Sequence, residues 1–244
     1  MVLLSGGLDS AVMLYLAKKE GYKPFCLIFE YGQRHSKEIE SAKRIARVAN
    51  CPWQISKISL PWKGSALLDK SVRLAKAGLS HGKGVTLRFR PTGGLRQKNW
   101  LLPCGSKSKI PATYVPGRNI IFLSLALSCA ETIGAEAIFI GAHSQDYSGY
   151  PDCRPEFYRA FDRVIATGTK SGVEKKKIKV RIPLIRKTKA GIIRIGNKLG
   201  VPFELTWSCY EGGAAPCQEC DSCYFRAKGF KEAGLKDPLS MGDT

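Results

Sequence analysis

Apolar and polar positions fall along the chain in blocks of two kinds. The run Met1-Val2-Leu3-Leu4 is apolar throughout, stops at Ser5-Gly6-Gly7, and gives way over 9–20 to a stretch carrying Ala11, Val12, Met13 and Leu14 that ends near Gly21. Short continuous apolar runs bounded by turn residues predict buried strands, and longer segments with apolar residues three and four apart predict helices. Residues 23–29 give a second strand. Residues 36–50 give a helix with Ile39, Ala42, Ile45, Ala46 and Ala49 on one face, and 53–58 a third strand. The pattern lapses over about 62–110, where 85–90 and 95–102 around Pro91-Thr92-Gly93-Gly94 fit a basic hairpin or a mobile flap, an insertion in either case. It resumes with a helix over 119–133, a strand at 137–141, a helix over 155–167, a strand at 178–182 and a helix over 188–199. Pro155 stands in a first helical turn, where proline is tolerated. Strands alternating with helices predict an α/β fold with a parallel sheet and right-handed crossovers. The first strand has only four residues although it should be central, which leaves the expectation that the native chain begins a few residues before Met1.

The break after the first strand carries the chemistry. Residues 5–10 read Ser-Gly-Gly-Leu-Asp-Ser. Two glycines let the backbone turn tightly and bring amide N–H groups close to a ligand. The helix opening at about Asp9 adds unpaired N–H groups and the positive end of its dipole. Ser5 and Ser10 add hydroxyl donors for phosphate oxygens, so the segment reads as an anion site. A Walker loop requires a lysine that is absent, and Asp9 lies inside the loop instead. The segment resembles the PP-loop of ATP pyrophosphatases, which hold the pyrophosphate end of ATP while a nucleophile attacks the α-phosphorus. It also lies beyond the carboxyl end of a strand, where parallel sheets bind ligands.

At 244 residues the chain suffices for one well-buried α/β domain with a small appendage. No apolar run of about 18 residues predicts a membrane span, and Asp9 interrupts the N-terminal apolar stretch too soon for a signal peptide. The expectation is a cytoplasmic protein with no membrane partner. Its nine cysteines then read as metal ligands and buried thiols rather than disulfides. The formal net charge is +19, spread unevenly: 63–109 carry eleven Lys or Arg against Asp69, and 170–189 carry nine against Glu174. Such blocks attract ATP or nucleic acid, or simply form a solvated basic surface; charge alone does not separate the two.

Cys209, Cys217, Cys220 and Cys223 supply four thiols within fifteen residues. Two-residue gaps turn successive sulfurs onto one ion, and Gly212, Gly213 and Pro216 permit the tight loop. Four cysteines without a nearby histidine fit a closed, tetrahedral, structural Zn2+ site, one per chain, with an iron–sulfur cluster or redox thiols as alternatives. Cys26 and Cys129 lie in apolar elements and read as inert core.

Four further stretches accompany loop and cysteines. They are Phe29-Glu30-Tyr31-Gly32-Gln33-Arg34-His35, Tyr114-Val115-Pro116-Gly117-Arg118-Asn119, Asp146-Tyr147-Ser148-Gly149-Tyr150-Pro151-Asp152-Cys153-Arg154, and Leu205-Thr206-Trp207-Ser208-Cys209-Tyr210. Together these resemble the QueC, or 7-cyano-7-deazaguanine synthase, family over nearly the whole chain except about 62–109. The resemblance implies the PP-loop (adenine nucleotide alpha hydrolase-like) fold: a parallel five-stranded sheet flanked by helices over 1–204, with a helical four-cysteine zinc subdomain over 205–244. It implies an ATP-dependent carbon–nitrogen ligase that turns 7-carboxy-7-deazaguanine and ammonia into the nitrile. Two ATP are used, through an acyl-adenylate and an amide, on the route to queuosine or archaeosine in tRNA. Mg2+ with ATP, structural Zn2+ and a homodimer are implied; tRNA binding is compatible but not required.

The same resemblance suggests roles. Ser5, Gly6, Gly7, Leu8, Asp9 and Ser10 would cradle the pyrophosphate, with Leu4 before them and Ala11, Val12, Met13 and Leu14 after them counted in the ATP site. Asp9 would orient Mg2+ or merely cap its helix. Phe29 and Tyr31 would hold adenine, and Arg118, Lys187 and Lys189 would meet phosphates; Asp9, Ser10, Arg118 and Lys189 form the expected catalytic set. Tyr150, Asp152 and Arg154 are candidates for the deazaguanine, because an aspartate accepts both N–H groups of a guanine edge, an aromatic ring stacks and an arginine forks onto a carboxylate. Asn119 would cap its helix, and His143 could shuttle a proton. His35 and His81 receive no role. The competing readings are a PP-loop tRNA-modifying thiolase or ligase, with Cys153 as its thiol, and a zinc-stabilised nucleic-acid-binding module with an inactive loop.

Overall fold

Five parallel strands form one sheet in the order β3-β2-β1-β4-β5. They are β1 (Val2–Leu3), β2 (Cys26–Glu30), β3 (Trp53–Lys57), β4 (Ala137–Phe139) and β5 (Lys179–Arg181). This computed structural model describes residues 1–60, 65–68, 74, 113–143, 150–176 and 178–240, so the hairpin or flap expected at 85–102, and residues 146–149 of the stretch before Tyr150, lie outside the described residues. The helices are α1 (Leu8–Lys19), α2 (Lys37–Val48), α3 (Arg118–Thr132), α4 (Pro155–Gly168), the short α5 (Lys170–Val173), α6 (Lys189–Lys198) and α7 (Asp221–Ala233). Every element expected over the described residues is present, within a few residues of its expected ends. α5 and two short 3-10 turns at Pro151–Cys153 and Phe203–Leu205 are additions.

Period-two alternation along the strands divides the core. Val2, Leu4, Cys26 and Ile28 point to one face of the sheet, and Leu3, Leu27 and Phe29 to the other. The first face is covered by α1, α2 and α6 through Val12, Met13, Ile45, Ile192 and Ile193, and the second by α3 and α4 through Leu123, Tyr158 and Ile165. Phe203 and Phe230 join the first core, edge to face at 5.3 Å, so α7 packs on the same interior as the sheet. A methyl group on Gly229 would stand 2.4 Å from Lys189 Cγ, and that closeness seats α7 against the start of α6.

The central strand β1 is flanked by β2 on one side and β4 on the other, both parallel to it. The strand order therefore reverses at β1, and the crevice between the carboxyl ends of β1 and β4 is the place such sheets reserve for ligands.

Candidate active site

The loop after β1 is shaped by Gly6. Its φ is +82°, and a Cβ there would lie 2.1 Å from the carbonyl oxygen of Glu38. Only glycine lets the loop pass this close to α2 in a left-handed conformation. Gly7 is the N-cap of α1 and the helix carries no side-chain cap, which leaves its first N–H groups available for an anion. The Ser10 hydroxyl donates to the Gly7 carbonyl at 2.9 Å and accepts from the Ser5 amide (3.2 Å) and hydroxyl (3.0 Å). Ser10 thus braces the loop from within, and Ser5 is the exposed hydroxyl. Leu4, Leu8, Ala11, Val12, Met13 and Leu14 keep their place in the linear motif, but their side chains are all in the core. The helix turns the Ala11–Leu14 side chains inward, which leaves backbone atoms as what these six present toward the loop.

Asp9 lies in the first turn of α1 and meets two residues from distant parts of the chain. Lys189 Nζ, at the start of α6, is 2.7 and 2.9 Å from its two carboxylate oxygens and 3.1 Å from Nε2 of His143. An ammonium has three N–H donors and no acceptor, so these contacts use all three, and the His143 Nε2 accepts. His143 follows β4, is buried, and also lies 3.4 Å from Asp9. Burial alone would raise the Asp9 carboxyl, but the Lys189 ammonium against it holds it well below the usual carboxylate range. Gly141 makes the approach possible, since a Cβ there would press on the Asp9 carbonyl carbon and Ser10 nitrogen at 3.2 Å.

A second group gathers at the start of α3. Arg118 donates to the Tyr31 hydroxyl at 3.4 Å and lies over the ring at 6.0 Å. Burial opposes its charge, but Tyr31, Tyr150 and Asp152 more than offset that and keep the guanidinium ionised. Glu38, half-buried in the first turn of α2, is pushed up to about 7 by burial, with Arg118 opposing. Phe29 stacks on Phe122 at 4.2 Å, and Tyr31 meets the same ring edge-on at 5.2 Å; both belong to the second core.

The expected purine-binding residues divide. Asp152 is buried and its Oδ2 accepts the Asn119 backbone N–H at 3.1 Å, so one of its oxygens caps α3. Asn119 is therefore not the cap: Gly117 holds that position, and the Asn119 amide donates to the Asp152 carbonyl and to the buried Cys153 sulfur. Tyr150 bonds Thr113 at 2.5 Å and lies 6.0 Å from Tyr114. Arg154 is exposed as the N-cap of α4, and Lys187 is exposed two residues before Lys189. Glu38, His35 and Trp207 lie in or beside the motif stretches but carry no role in the linear reading; nothing in that pattern says which members of such a stretch converge.

Cys209, Cys217, Cys220 and Cys223 have sulfurs all within 4.8 Å of one another, Cys217 and Cys223 at 4.0 Å. Tetrahedral zinc with bonds near 2.3 Å places sulfurs about 3.8 Å apart, so the set fits one metal ion. Amides of Glu211 and Cys217 donate to the Cys209 sulfur and that of Cys220 to the Cys217 sulfur. Thiol hydrogen bonds from Cys220 and Cys223 hold Cys209 far below the ordinary thiol range, and Cys220 is pushed up in turn to about 11. A cation among the sulfurs removes that competition. Cys26, by contrast, is pushed to about 12 by burial and is inert, whereas Cys129 is half-buried on α3 rather than fully in the core.

The family model described as queuosine biosynthesis protein QueC matches residues 1–234. A 7-cyano-7-deazaguanine synthase of Thermoplasma volcanium is 43% identical over 239 residues, 98% of this chain and 89% of its own. One from Anaeromyxobacter dehalogenans is 46% identical over 242 residues, 98% and 93% of the two chains. Among solved structures, NMN synthetase from Francisella tularensis aligns with a TM-score of 0.47 and 15% identity over 96% of this chain and 76% of its own, too distant a likeness to carry an inference. With residues 1–234 matched and relatives 43–46% identical along nearly its full length, the chain belongs to the QueC family.

Proposed function

We propose that this chain is a 7-cyano-7-deazaguanine synthase, an ATP-dependent carbon–nitrogen ligase of queuosine biosynthesis. The observation that carries the reading is an open helix N-terminus after Gly6 and Gly7, flanked by the Asp9–Lys189 pair at the point where the strand order reverses. A carboxylate is a poor electrophile. Its oxygen attacks the α-phosphorus of ATP, pyrophosphate leaves, and the acyl-adenylate offers AMP as leaving group. Ammonia displaces AMP to give the amide. The amide oxygen attacks a second ATP, and loss of AMP with a proton leaves the nitrile. In both activations charge grows on the departing pyrophosphate, where fixed amides of the Ser5–Ser10 loop stabilise it in place. Asp9 is the residue that would orient a Mg2+ bound with ATP, which would neutralise the remainder. Lys189 and Arg118 supply cationic charge, with Lys187 at the rim. Phe29 and Tyr31 border the adenine, and Tyr150 and Asp152 face the deazaguanine.

The cysteine set is assigned to one structural Zn2+ per chain, since four thiolates leave no coordination place for substrate. A homodimer is supported by α3, where Ile120 and Leu125 are 49% and 39% exposed and no charged residue occurs from Asn119 to Ala130. The chain is assigned to the cytoplasm, where thiols stay reduced, and every cysteine among the described residues is free. No helix of those residues is long and apolar enough to cross a membrane. The test is an RNA-free incubation with ATP, Mg2+, ammonia and 7-carboxy-7-deazaguanine, followed by mass spectrometry. A nitrile product supports the proposal; turnover only with tRNA present supports the thiolase class instead.

A further inference from the structure

The four-cysteine site is joined to the phosphate loop through two residues that have no step in the reaction proposed above. Trp207 donates its backbone N–H to the Gly6 carbonyl at 2.9 Å, and its own carbonyl lies 3.8 Å from where a Cβ on Gly7 would stand. Two residues on, the indole Nε1 of the same Trp207 donates to the carbonyl of Cys209 at 2.9 Å. One residue therefore grips the loop with its backbone and the first cysteine with its side chain. Lys37, in the first turn of α2, lies 5.0 Å above the indole, a cation–π contact at this junction.

His35 closes the arrangement from the other side. It leaves the turn after β2, and its Nε2 is 3.0 Å from the same Cys209 carbonyl. A carbonyl only accepts, so Nε2 carries the proton. Nδ1 is then a bare acceptor, and it is the one buried side-chain polar atom without a partner among the described residues. The cysteine loop is folded tightly over this ring: a Cβ on Gly212, whose φ is +67°, would come within 2.4 Å of His35 Cβ and Cγ. Leaving a nitrogen unsatisfied is unfavourable, and the contact the ring gains is a second clamp on Cys209.

We propose that His35 and Trp207 are positioning residues that transmit metal loading to the phosphate loop, so that the cysteine site sets the affinity for ATP as well as folding the C-terminal segment. The inference rests on the proposed function in taking ATP to bind at residues 5–10 and a metal at the cysteines. The metal fixes where the Cys209 carbonyl stands; Trp207 and His35 both read that carbonyl, and Trp207 passes its position to Gly6. Loss of the metal frees Cys209 and slackens the Gly6 turn that aims the amides.

The experiment measures ATP binding by titration calorimetry, without the deazapurine acid so that nothing turns over, alongside metal content and thermal unfolding. The proteins are the metal-loaded wild type, the same protein after chelation, Trp207→Phe, His35→Leu and His35→Gln. Trp207→Phe keeps the backbone bond to Gly6 and removes only the indole donor; glutamine at 35 retains an N–H donor, leucine does not. The expected result is about tenfold weaker ATP binding in Trp207→Phe and His35→Leu at full metal content, a similar loss on chelation, and recovery of most of the affinity in His35→Gln. ATP affinity equal to wild type in the metal-loaded variants overturns the inference, as does a loss that only follows lost metal or lost fold, or one that glutamine does not restore. A wild-type chain that binds metal but not ATP contradicts the proposed function, and this inference with it.

Discussion

Lys189 Nζ sits 2.7 Å from Asp9 Oδ2, joining residues 180 positions apart in the chain. The pair exists because α1 follows the central strand and α6 follows β5, and the parallel crossovers bring both helix N-termini to one end of the sheet. At 14% and 23% side-chain exposure both groups are largely withdrawn from water, and His143 completes the set at 3.1 Å from the ammonium. In the reaction proposed above, a cation held at that point would meet the negative charge that leaves with pyrophosphate.

Removing that cation tests the arrangement. Lys189→Met is expected to lower the rate of pyrophosphate release about 10²-fold or more, in the range seen when one fixed electrostatic donor is lost. Lys189→Arg should recover only part of it, because a planar fork replaces a point charge. Circular dichroism should show both variants folded.

Gly6 and Gly7 are expected to respond oppositely to alanine. At Gly6 the methyl group meets the Glu38 carbonyl at 2.1 Å in a left-handed conformation, and α2 cannot retreat without opening the core. Gly6→Ala should lose roughly 2–5 kcal/mol of stability. At Gly7 φ is −76° and the nearest atom to the methyl is Ser5 Oγ, at 3.4 Å. Gly7→Ala should stay within about 0.5 kcal/mol of wild type in stability while weakening ATP binding, because the methyl stands where phosphate must approach. Urea unfolding and ATP titration separate the two.

Glu38 gives a pH signature. Its carboxyl titrates near 4.5 when unfolded and near 7 when folded, so between those values the folded chain holds a proton that the unfolded chain has lost. Its contribution is therefore full below the lower value and is lost as pH rises through the upper one. For a half-buried group the loss is on the order of 1–2 kcal/mol once solvent screening is allowed for. Glu38→Gln should flatten this fall, measured as the urea midpoint between pH 5 and pH 8; an unchanged slope places the titration elsewhere.

The C-terminal segment depends on one buried ion pair. Arg226 and Asp237 meet through two contacts of 2.8 Å, and the guanidinium also donates to Thr206 Oγ1 at 2.6 Å and to the Phe203 carbonyl at 3.1 Å. Asp237→Ala strands that guanidinium and should cost about 3–5 kcal/mol. The double change Arg226→Met with Asp237→Ala should cost less than the single one, since no charge is left unpaired; thermal unfolding decides.

Much of this was legible in the chain because it depends on local spacing. The unbroken apolar run Met1–Leu4 gives a strand buried on both faces, and the cysteine gaps give four sulfurs close enough to hold one metal ion. What depends on distant packing was not legible. Nothing around Asp152 shows that its carboxylate caps the helix beginning at Arg118, thirty-odd residues earlier, which displaces Asn119 from that task. A motif read as a continuous string counts Ala11, Val12, Met13 and Leu14 with the ATP site, yet a helix turns those side chains into the core. Arg154 shares a stretch with Asp152, but the turn into the next helix sends it to the surface.

The most direct test follows the phosphates. With ATP labelled at the α-position, 7-carboxy-7-deazaguanine and ammonia, adenylation of the acid and then of the amide yields AMP and pyrophosphate, two of each for every nitrile formed. Labelled ADP with orthophosphate, at the same rate as nitrile, contradicts the account, because the glycine loop would then be holding a nucleotide whose terminal phosphate is the one transferred.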